Sequence, residues 1–507
     1  MKQIQKILLS DTGHIELYGS YNDLAGTVRS DFLGAYFSFP YCWRVPYNQY
    51  NLGKAFQWAK ENSLQIGPAA WLDPDTYEQR ILIPIYRESE AVIPHKPLGP
   101  IPGMCGTLRK YQEAAVEYAL RRRCCIIADD PGVGKSIEAM AAIAEAHAFP
   151  AIVVCPPSLI PKWKDEITKF FPSWLVQPLI GQDIKANNKI YIVGYSGIKN
   201  YGEAIKRLKP MSIIFDESHY LKGYMTERAT LSCDITRTIK YRFLLTSTPI
   251  VNMPSDLMSQ LRVLGRWDVL VGVPYFSEMY CGTNYLLGDR SPTGATNLDK
   301  LKVQLRRYCM IRRTSKQLKP ELPDREIVSV YLEADSNIRN QWAGYYSSQE
   351  FPSLRRNAFD RKRASVQKWL YAKTYNFTGK VIIFGFHRDY IEEIAEIFCA
   401  PAITGAHSTV QNRKIVEIFR EDLSAHLLFL TYNVGSQGWQ LDVADRVVLI
   451  EYDWSDATHS RAEGRLNSLI RERPIRIYRL LVENSIEDDI VRTAAKKKRI
   501  IDETLGV

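Results

Sequence analysis

Two short stretches of the chain carry residue types suited to phosphate chemistry. The first, Asp129-Asp130-Pro131-Gly132-Val133-Gly134-Lys135-Ser136, combines two glycines with a lysine and a hydroxyl. Gly132 and Gly134 let the backbone curl so that its N–H groups face phosphate oxygens, Lys135 supplies a point charge, and Ser136 offers a hydroxyl to Mg²⁺. Such a loop ordinarily begins with Gly, and Asp129 stands there instead. The second stretch, Asp216-Glu217-Ser218-His219, lies downstream, directly after the apolar run Ile213-Ile214-Phe215. Asp216 is suited to hold the magnesium and Glu217 to orient or deprotonate an attacking water, the division of labour that phosphoryl transfer to water requires. A glycine turn beside a chance Lys-Ser is the bland alternative, and the surrounding pattern argues against it.

That pattern must place both stretches at the ends of buried strands. Apolar, β-branched runs occur at Cys124–Ala128, Ala151–Cys155, Lys189–Val193, Ser212–Asp216 and Phe243–Thr246, with helical periodicity between them. A second series follows at Lys380–Phe384, Leu427–Thr431, Arg446–Ile450 and Ile475–Leu480. Short buried runs alternating with helices are what a parallel sheet with helix crossovers requires, so the fold class expected is α/β with two parallel-sheet lobes. The glycine loop then joins a strand to a helix whose apolar stripe includes Ile137, Met140, Ala141 and Ala144.

Three domains are expected from this: a small N-terminal α+β accessory domain over 1–95, a first lobe over 96–325 with a helical insertion from about 265, and a second lobe over 326–507. The Pro-Gly-rich stretch Pro94–Gly106 reads as the linker behind the aromatic-rich accessory domain. Arg361, Lys362 and Arg363, with Phe359, Trp369, Tyr371 and Tyr375 nearby, lie in a basic helical protrusion expected at about 335–375. Basic residues mixed with aromatics suit phosphate contacts and base stacking, while a solvated helical face is the plain alternative.

Composition sets broader limits. The chain has 507 residues, 46% apolar and 24% charged, which is ordinary for a folded globular protein and argues against wholesale disorder. Lys and Arg number 66 against 56 acids, a net charge of +10 that favours a polyanionic partner. Nine cysteines with no CxxC pair suggest neither a disulfide framework nor a zinc site. Neither a signal peptide nor a membrane-spanning run is visible, so an intracellular, cytoplasmic protein is expected, and without a heptad signal a monomer.

Over about residues 107 to 505 the motifs together resemble the Swi/Snf-type ATPases of helicase superfamily 2, in which the phosphate loop begins with an acid and the magnesium motif reads Asp-Glu-Ser/Ala-His. Leu108-Arg109-Lys110-Tyr111-Gln112 looks like the adenine-reading Q motif, and Val153 to Leu159 with Trp163 resembles motif Ia. Leu245-Thr246-Ser247-Thr248-Pro249 with Asn252 is similar to motif III, although Ser247 replaces the usual Gly. Met310-Ile311-Arg312-Arg313-Thr314 resembles the link between lobes. Val381–His387 and Thr431–Leu441 look like motifs IV and V, and Arg461-Ala462-Glu463-Gly464-Arg465 like motif VI. Within the family the annealing-helicase, HepA-related branch is most similar, and Tyr41 to Pro46 faintly resembles its small DNA-binding domain. Motif VI normally holds a second arginine where Ser468 stands, and Arg461 replaces the usual Gln.

The resemblance implies two RecA-like lobes that use ATP and Mg²⁺ to step along DNA, double-stranded or branched. It assigns Gln112 to adenine and Asp130, Gly132, Val133, Gly134, Lys135 and Ser136 to the phosphates. Ser136 and Asp216 then hold Mg²⁺, Glu217 serves hydrolysis, and Arg465 reaches the nucleotide from the opposite lobe. DNA contacts are expected from Pro156, Ser158, Trp163, Thr246, His387, Arg388, Thr431 and Trp439, together with Arg361, Lys362 and Arg363. Replication, recombination or transcription proteins are the partners this implies. Three activities stay open: a duplex DNA translocase that remodels or reanneals branched DNA or displaces bound protein, a strand-separating helicase, and, because of Ser468, a low-turnover ATP-dependent DNA-binding clamp.

Overall fold

The computed structural model describes residues 4–9, 14–19, 28, 35–38, 42–46, 49–61, 83–181, 183–185, 189–270, 273–283, 294–333, 351–374, 377, 379–432, 439, 441–466, 469, 471, 473–483 and 485–506. The chain divides into two compact units, Met1–Asp129 with Gly134–Thr314 and Asp502–Val507, and Asp130–Val133 with Ser315–Ile501.

The first unit opens with a four-stranded antiparallel sheet in the order Ile4–Leu9, His14–Gly19, Cys42–Pro46, Tyr36–Ser38, followed by the helix Gln49–Glu61. Ile7, Ile15, Leu17, Trp43 and Val45 are fully buried in it, which gives the α+β element expected at this end of the chain.

Behind it lies a seven-stranded parallel sheet. Its order is Met310–Ile311, Cys124–Ile127, Tyr241–Leu245, Ser212–Asp216, Ala151–Cys155, Ile190–Gly194, Val176–Pro178. Every residue of Ala151–Cys155 is buried, as expected where helices cover both faces of a parallel sheet. The helices Lys110–Arg122, Lys135–Glu145 and Ile160–Phe170 pack on this sheet through Ala119, Met140, Ile143, Trp163 and Ile167. The helical insertion comprises Trp267–Leu270, Val273–Cys281 and Leu298–Tyr308, and the chain then returns to the sheet at Met310–Ile311.

The second unit is built on a six-stranded parallel sheet ordered Arg325–Tyr331, Ile475–Leu481, Ala444–Leu449, Lys380–Gly385, Leu427–Thr431, Ala402–Ile403. Two expectations change here. The second unit begins at Ser315 rather than 326, taking in the short helix Ser315–Leu318 ahead of the strand Arg325–Tyr331. The basic segment is not a protrusion: the helix Phe351–Thr374 buries Phe359, Val366 and Leu370 against the sheet. Residues 334–350 of that segment lie outside the described residues.

The linker expectation changes as well. The helix Ile83–Glu88 and the residues after it are joined to the first unit. The Ser89 carbonyl accepts from Arg312 N at 3.0 Å and Arg306 Nη1 at 3.1 Å, and His95 N donates to Glu117 at 2.7 Å. Among the described residues no helix is long and apolar enough to cross a membrane.

Candidate functional site

The glycine loop leaves the strand Cys124–Ile127 and ends at the helix Lys135–Glu145. Gly132 has φ +84° and Gly134 φ +100°, conformations that side chains rarely adopt. A Cβ on Gly134 would lie 2.5 Å from Gln112 Nε2, so the Gln112 side chain closes directly over the loop. Gln112 itself is buried and its Oε1 accepts from Arg109 N at 3.0 Å. Lys135 Nζ donates to the Asp129 carbonyl at 2.8 Å, and Asp130 Oδ2 accepts from Ser315 N at 2.8 Å.

Asp129, the unusual first residue of the loop, is fully buried beneath it. Its carboxylate accepts from Arg313 N at 2.7 Å, from Arg313 Nε at 3.0 Å and from Arg313 Nη2. Arg313 is equally buried and also donates to Glu138 Oε1 at 3.1 Å, to the Ala91 carbonyl at 3.1 Å and to the Tyr111 carbonyl. Burial pushes the Glu138 carboxyl up to about 8, with Arg313 opposing the shift.

The two acids sit at the carboxyl end of Ser212–Asp216. In the sheet only Tyr241–Leu245 separates that strand from Cys124–Ile127, so the loop, Asp216 and Thr246 emerge at neighbouring strand ends. Open parallel sheets bind ligands at that edge. Asp216 Oδ2 accepts from Trp163 Nε1 at 2.8 Å, its Oδ1 accepts from Glu217 N at 2.9 Å, and its carbonyl accepts from Tyr195 Oη at 2.9 Å. Burial, reinforced by the Glu217 charge, lifts Asp216 to about 6. Glu217 has φ +51°, an uncommon conformation for a residue with a side chain, and residues strained this way cluster at functional sites. Glu217 Oε2 lies 3.3 Å from His219 Nδ1, which lies 3.3 Å from Thr246 Oγ1. Thr246 Oγ1 in turn accepts from Thr248 N at 3.1 Å.

Several expected DNA contacts take other places. Trp163 is 2% exposed and spends its N–H on Asp216, so it faces the Asp216 carboxylate and not a surface. Thr246 and Thr431 are buried at the ends of central strands. Lys362 is fully buried, bonded to Glu487 Oε1 at 2.5 Å and to the Leu480 carbonyl at 2.8 Å, which removes it from any DNA-facing role. His387 Nδ1 meets Glu451 Oε1 at 2.5 Å, tying it to its own sheet. Pro156 is buried, Ser158 half-buried, and Trp439 packs against the core of the second unit. Arg361 and Arg363 are half-buried and Arg388 is exposed; Arg363 pairs with Glu393 and Arg388 with Glu392.

In the second unit Arg465 follows the helix Asp456–Gly464, and its carbonyl accepts from Leu441 N at 2.9 Å. Arg461 Nε donates to Ala457 of its own helix at 3.0 Å. Arg471 Nη2 donates to the carbonyls of Ala444 at 2.6 Å, Leu466 at 2.8 Å and Asp442 at 3.0 Å. Ser468 lies outside the described residues.

Arg313 and His219 stand inside recognised motif stretches without an assigned role, and Tyr195 lies outside them. Tyr195 follows the buried strand Ile190–Gly194, and its place at the same sheet edge was the available signal. Taken together, the glycine cradle, the helix N-terminus, Lys135 and the carboxylate pair fit a nucleoside triphosphate with a divalent cation.

The sequence is 24% identical over 440 residues to the SWI/SNF-related matrix-associated actin-dependent regulator of chromatin subfamily A-like protein 1 of Drosophila melanogaster, covering 80% of this chain and 57% of that one. It is 23% identical over 444 residues to the DNA annealing helicase and endonuclease ZRANB3 of Homo sapiens, covering 79% and 40%. The chain therefore spans about half the length of these relatives. Among solved structures, the Sulfolobus solfataricus SWI2/SNF2 ATPase core in complex with dsDNA aligns at a TM-score of 0.42 and 19% identity, over 80% of this chain and 94% of that one. A model of the SNF2-related domain matches residues 111–376, more than half of the sequence, and the chain belongs to that family.

Proposed function

We propose that this chain is a DNA-dependent ATPase that translocates on double-stranded or branched DNA, remodelling or reannealing it or displacing bound protein. The observation that carries the reading is the placement of the glycine loop and the Asp216–Glu217 pair at neighbouring strand ends of one parallel sheet. Gln112, the loop N–H groups and Lys135 hold the nucleotide. Ser136 and Asp216 hold Mg²⁺, which when bound offsets charge on the phosphate oxygens. Glu217, with His219 beside it, takes a proton from water, and Arg465 of the second unit stabilises the charge of the transferring group. The net charge of +10 and the relatives' printed names support DNA as the partner. The chain acts as an intracellular monomer in the reading we favour.

The test is steady-state ATP turnover with and without duplex DNA. Duplex should raise the rate in the wild type, and Lys135→Ala should abolish turnover while leaving the fold intact. Displacement of a third strand from a triplex, without separation of a duplex, is the expected companion result. Duplex separation would replace the translocase by a strand-separating helicase. Slow turnover indifferent to DNA would replace it by the clamp.

A further inference from the structure

Asp216 is held by donors from the segments that follow two neighbouring strands, and no phosphate motif requires them. One is the Trp163 indole N–H, on the helix Ile160–Phe170 that follows the strand Ala151–Cys155. Trp163 is 2% exposed and belongs to the core of the first unit, so its ring is fixed by packing. The other is the Tyr195 hydroxyl, which donates to the Asp216 carbonyl at 2.9 Å and also lies 3.4 Å from the Glu217 carbonyl. The Tyr195 ring is 3% exposed and stacks on Tyr220 at 5.5 Å and 14°, with the Arg228 guanidinium 5.6 Å from the Tyr195 ring centre and 5.9 Å from that of Tyr220. Arg228 Nη1 further donates to the Tyr220 carbonyl at 3.2 Å.

The geometry points to Trp163 and Tyr195 as positioning residues for the metal carboxylate and its neighbour, Trp163 setting the plane of the Asp216 side chain and Tyr195 holding the Asp216–Glu217 backbone. This rests on the proposed ATPase reading. Each Asp216 carboxylate oxygen accepts one bond, Oδ2 from Trp163 and Oδ1 from Glu217 N, so rotation about the carboxylate is blocked while a lone pair on each oxygen stays available. The Tyr195 hydroxyl acts one step away, on the peptide that carries Glu217 at φ +51°. The two residues therefore have separable effects. Loss of the indole N–H frees the metal-binding oxygens, whereas loss of the phenol O–H loosens the backbone of the water-orienting acid.

The experiment uses the full chain with Trp163→Phe and Tyr195→Phe, the second removing a single oxygen from an otherwise unchanged ring. Mn²⁺ binding is read by electron paramagnetic resonance in the presence of ADP. ADP binding without metal, the Mg²⁺ dependence of ATP turnover and kcat are read alongside. Outer partners of metal ligands typically govern affinity or activity by about 10- to 100-fold. Trp163→Phe should weaken Mn²⁺ binding and raise the half-saturating Mg²⁺ concentration by about 10-fold, with metal-free ADP binding unchanged. Tyr195→Phe should lower kcat by about 10-fold with Mn²⁺ affinity held. A general loss of packing would move metal-free ADP binding and Mn²⁺ binding together in both variants, and that outcome overturns the inference, as does Mn²⁺ affinity within twofold of wild type in Trp163→Phe. Absence of DNA-stimulated turnover in the wild type would instead sink the ATPase reading, while the Mn²⁺ arm still judges the positioning inference.

Discussion

Arg313 donates to the Asp129 carboxylate from its backbone N at 2.7 Å, from Nε at 3.0 Å and from Nη2, with both residues fully buried beneath the glycine loop. This pairing explains why an acid opens the loop where glycine is usual. Asp129→Gly, the substitution that restores the ordinary pattern, should therefore weaken the protein. Removing one partner of a buried ion pair costs about 3–5 kcal/mol, because the remaining charge stays buried; here Glu138 tempers the loss. Asp129→Asn, which keeps shape and part of the hydrogen bonding, should cost less. Urea unfolding of the two variants checks this, and an Asp129→Gly protein as stable as wild type would deny the pairing its role.

The first ~95 residues cannot be removed as one accessory piece, on the hydrogen bonds that Ser89 and Ala91 make to Arg306, Arg312 and Arg313. Buried Arg306 and Arg313 would lose acceptors in a chain starting at residue 96. A chain of residues 83–507 keeps those carbonyls and should remain a folded ATPase, less stable because His14 no longer covers Tyr308 at 4.8 Å. A chain of 96–507 should be insoluble or lack turnover. Equal solubility and turnover of the two truncations would show that 83–95 is a true linker.

Burial decides how much of this architecture is legible in the sequence. Ala151–Cys155, Ser212–Asp216 and Leu427–Thr431 stand where their apolar runs end, because central strands of a covered parallel sheet admit few polar residues. Edge strands lack that constraint. Arg325–Tyr331 leaves Ile327 and Tyr331 more than half exposed, and it is missing from the apolar runs that mark the strands in the sequence. The glycine loop and the Asp216–Glu217 pair are legible because their chemistry is local in sequence. Lys362 is not: a basic residue among aromatics looks the same on a solvated helix as on one whose partner, Glu487, lies 125 positions away. Trp163 stands among the expected DNA contacts for a similar reason, since its acceptor Asp216 is 53 positions distant and invisible to the local motif.

DNA binding should depend on the basic side chains that remain accessible. If about five phosphates are neutralised, log affinity should fall with log salt at a slope of roughly −4 to −5. Reversing Arg361 and Arg363 to glutamate, with Lys362 untouched, should weaken duplex binding equally on all sequences. Lys362→Glu should act differently, lowering stability by placing a second carboxylate beside Glu487 in the core of the second unit. Fluorescence anisotropy across salt concentrations tests the first pair, and a flat salt response would mean that the excess positive charge serves solubility alone.

His459 makes the second unit sensitive to acid. Burial holds its ring well below the ordinary histidine range, with the Arg479 and Arg355 charges acting in the same direction. Its Nε2 accepts from Asp453 N at 2.8 Å, and its ring stacks on Tyr452 at 3.7 Å. The unfolded chain takes up the proton near pH 6.5, whereas the folded chain resists it, so stability is complete above that pH and declines as pH falls. One such group contributes a slope of at most about 1.4 kcal/mol per pH unit. His459→Gln should flatten the decline between about pH 6.5 and 5, measured by urea unfolding. A variant that loses stability with acid as steeply as wild type would place the sensitivity elsewhere.

Arg471, Arg461 and Arg465 of the second unit are the candidates for the arginine that the proposed hydrolysis needs. An arginine reaching a transferring phosphoryl group is worth about 10³ to 10⁵ in rate, so a motor that lacks one should be nearly silent. Arg471 is committed elsewhere: its guanidinium donates to the carbonyls of Asp442, Ala444 and Leu466, and burial lowers its pKa. Arg461 folds back on Ala457 of its own helix at 3.0 Å. Arg465 stands just beyond the end of that helix, and its carbonyl accepts from Leu441 N at 2.9 Å. On the proposed role, Arg465→Ala is expected to remove most DNA-stimulated hydrolysis, Arg461→Ala to have a smaller effect, and Arg471→Ala to lower stability before it lowers turnover. Ser468→Arg, restoring the family's second arginine, should be neutral or stimulating. A wild type without DNA-stimulated ATPase that gains it through Ser468→Arg would show instead that Arg465 is insufficient alone, and would replace the translocase by the clamp.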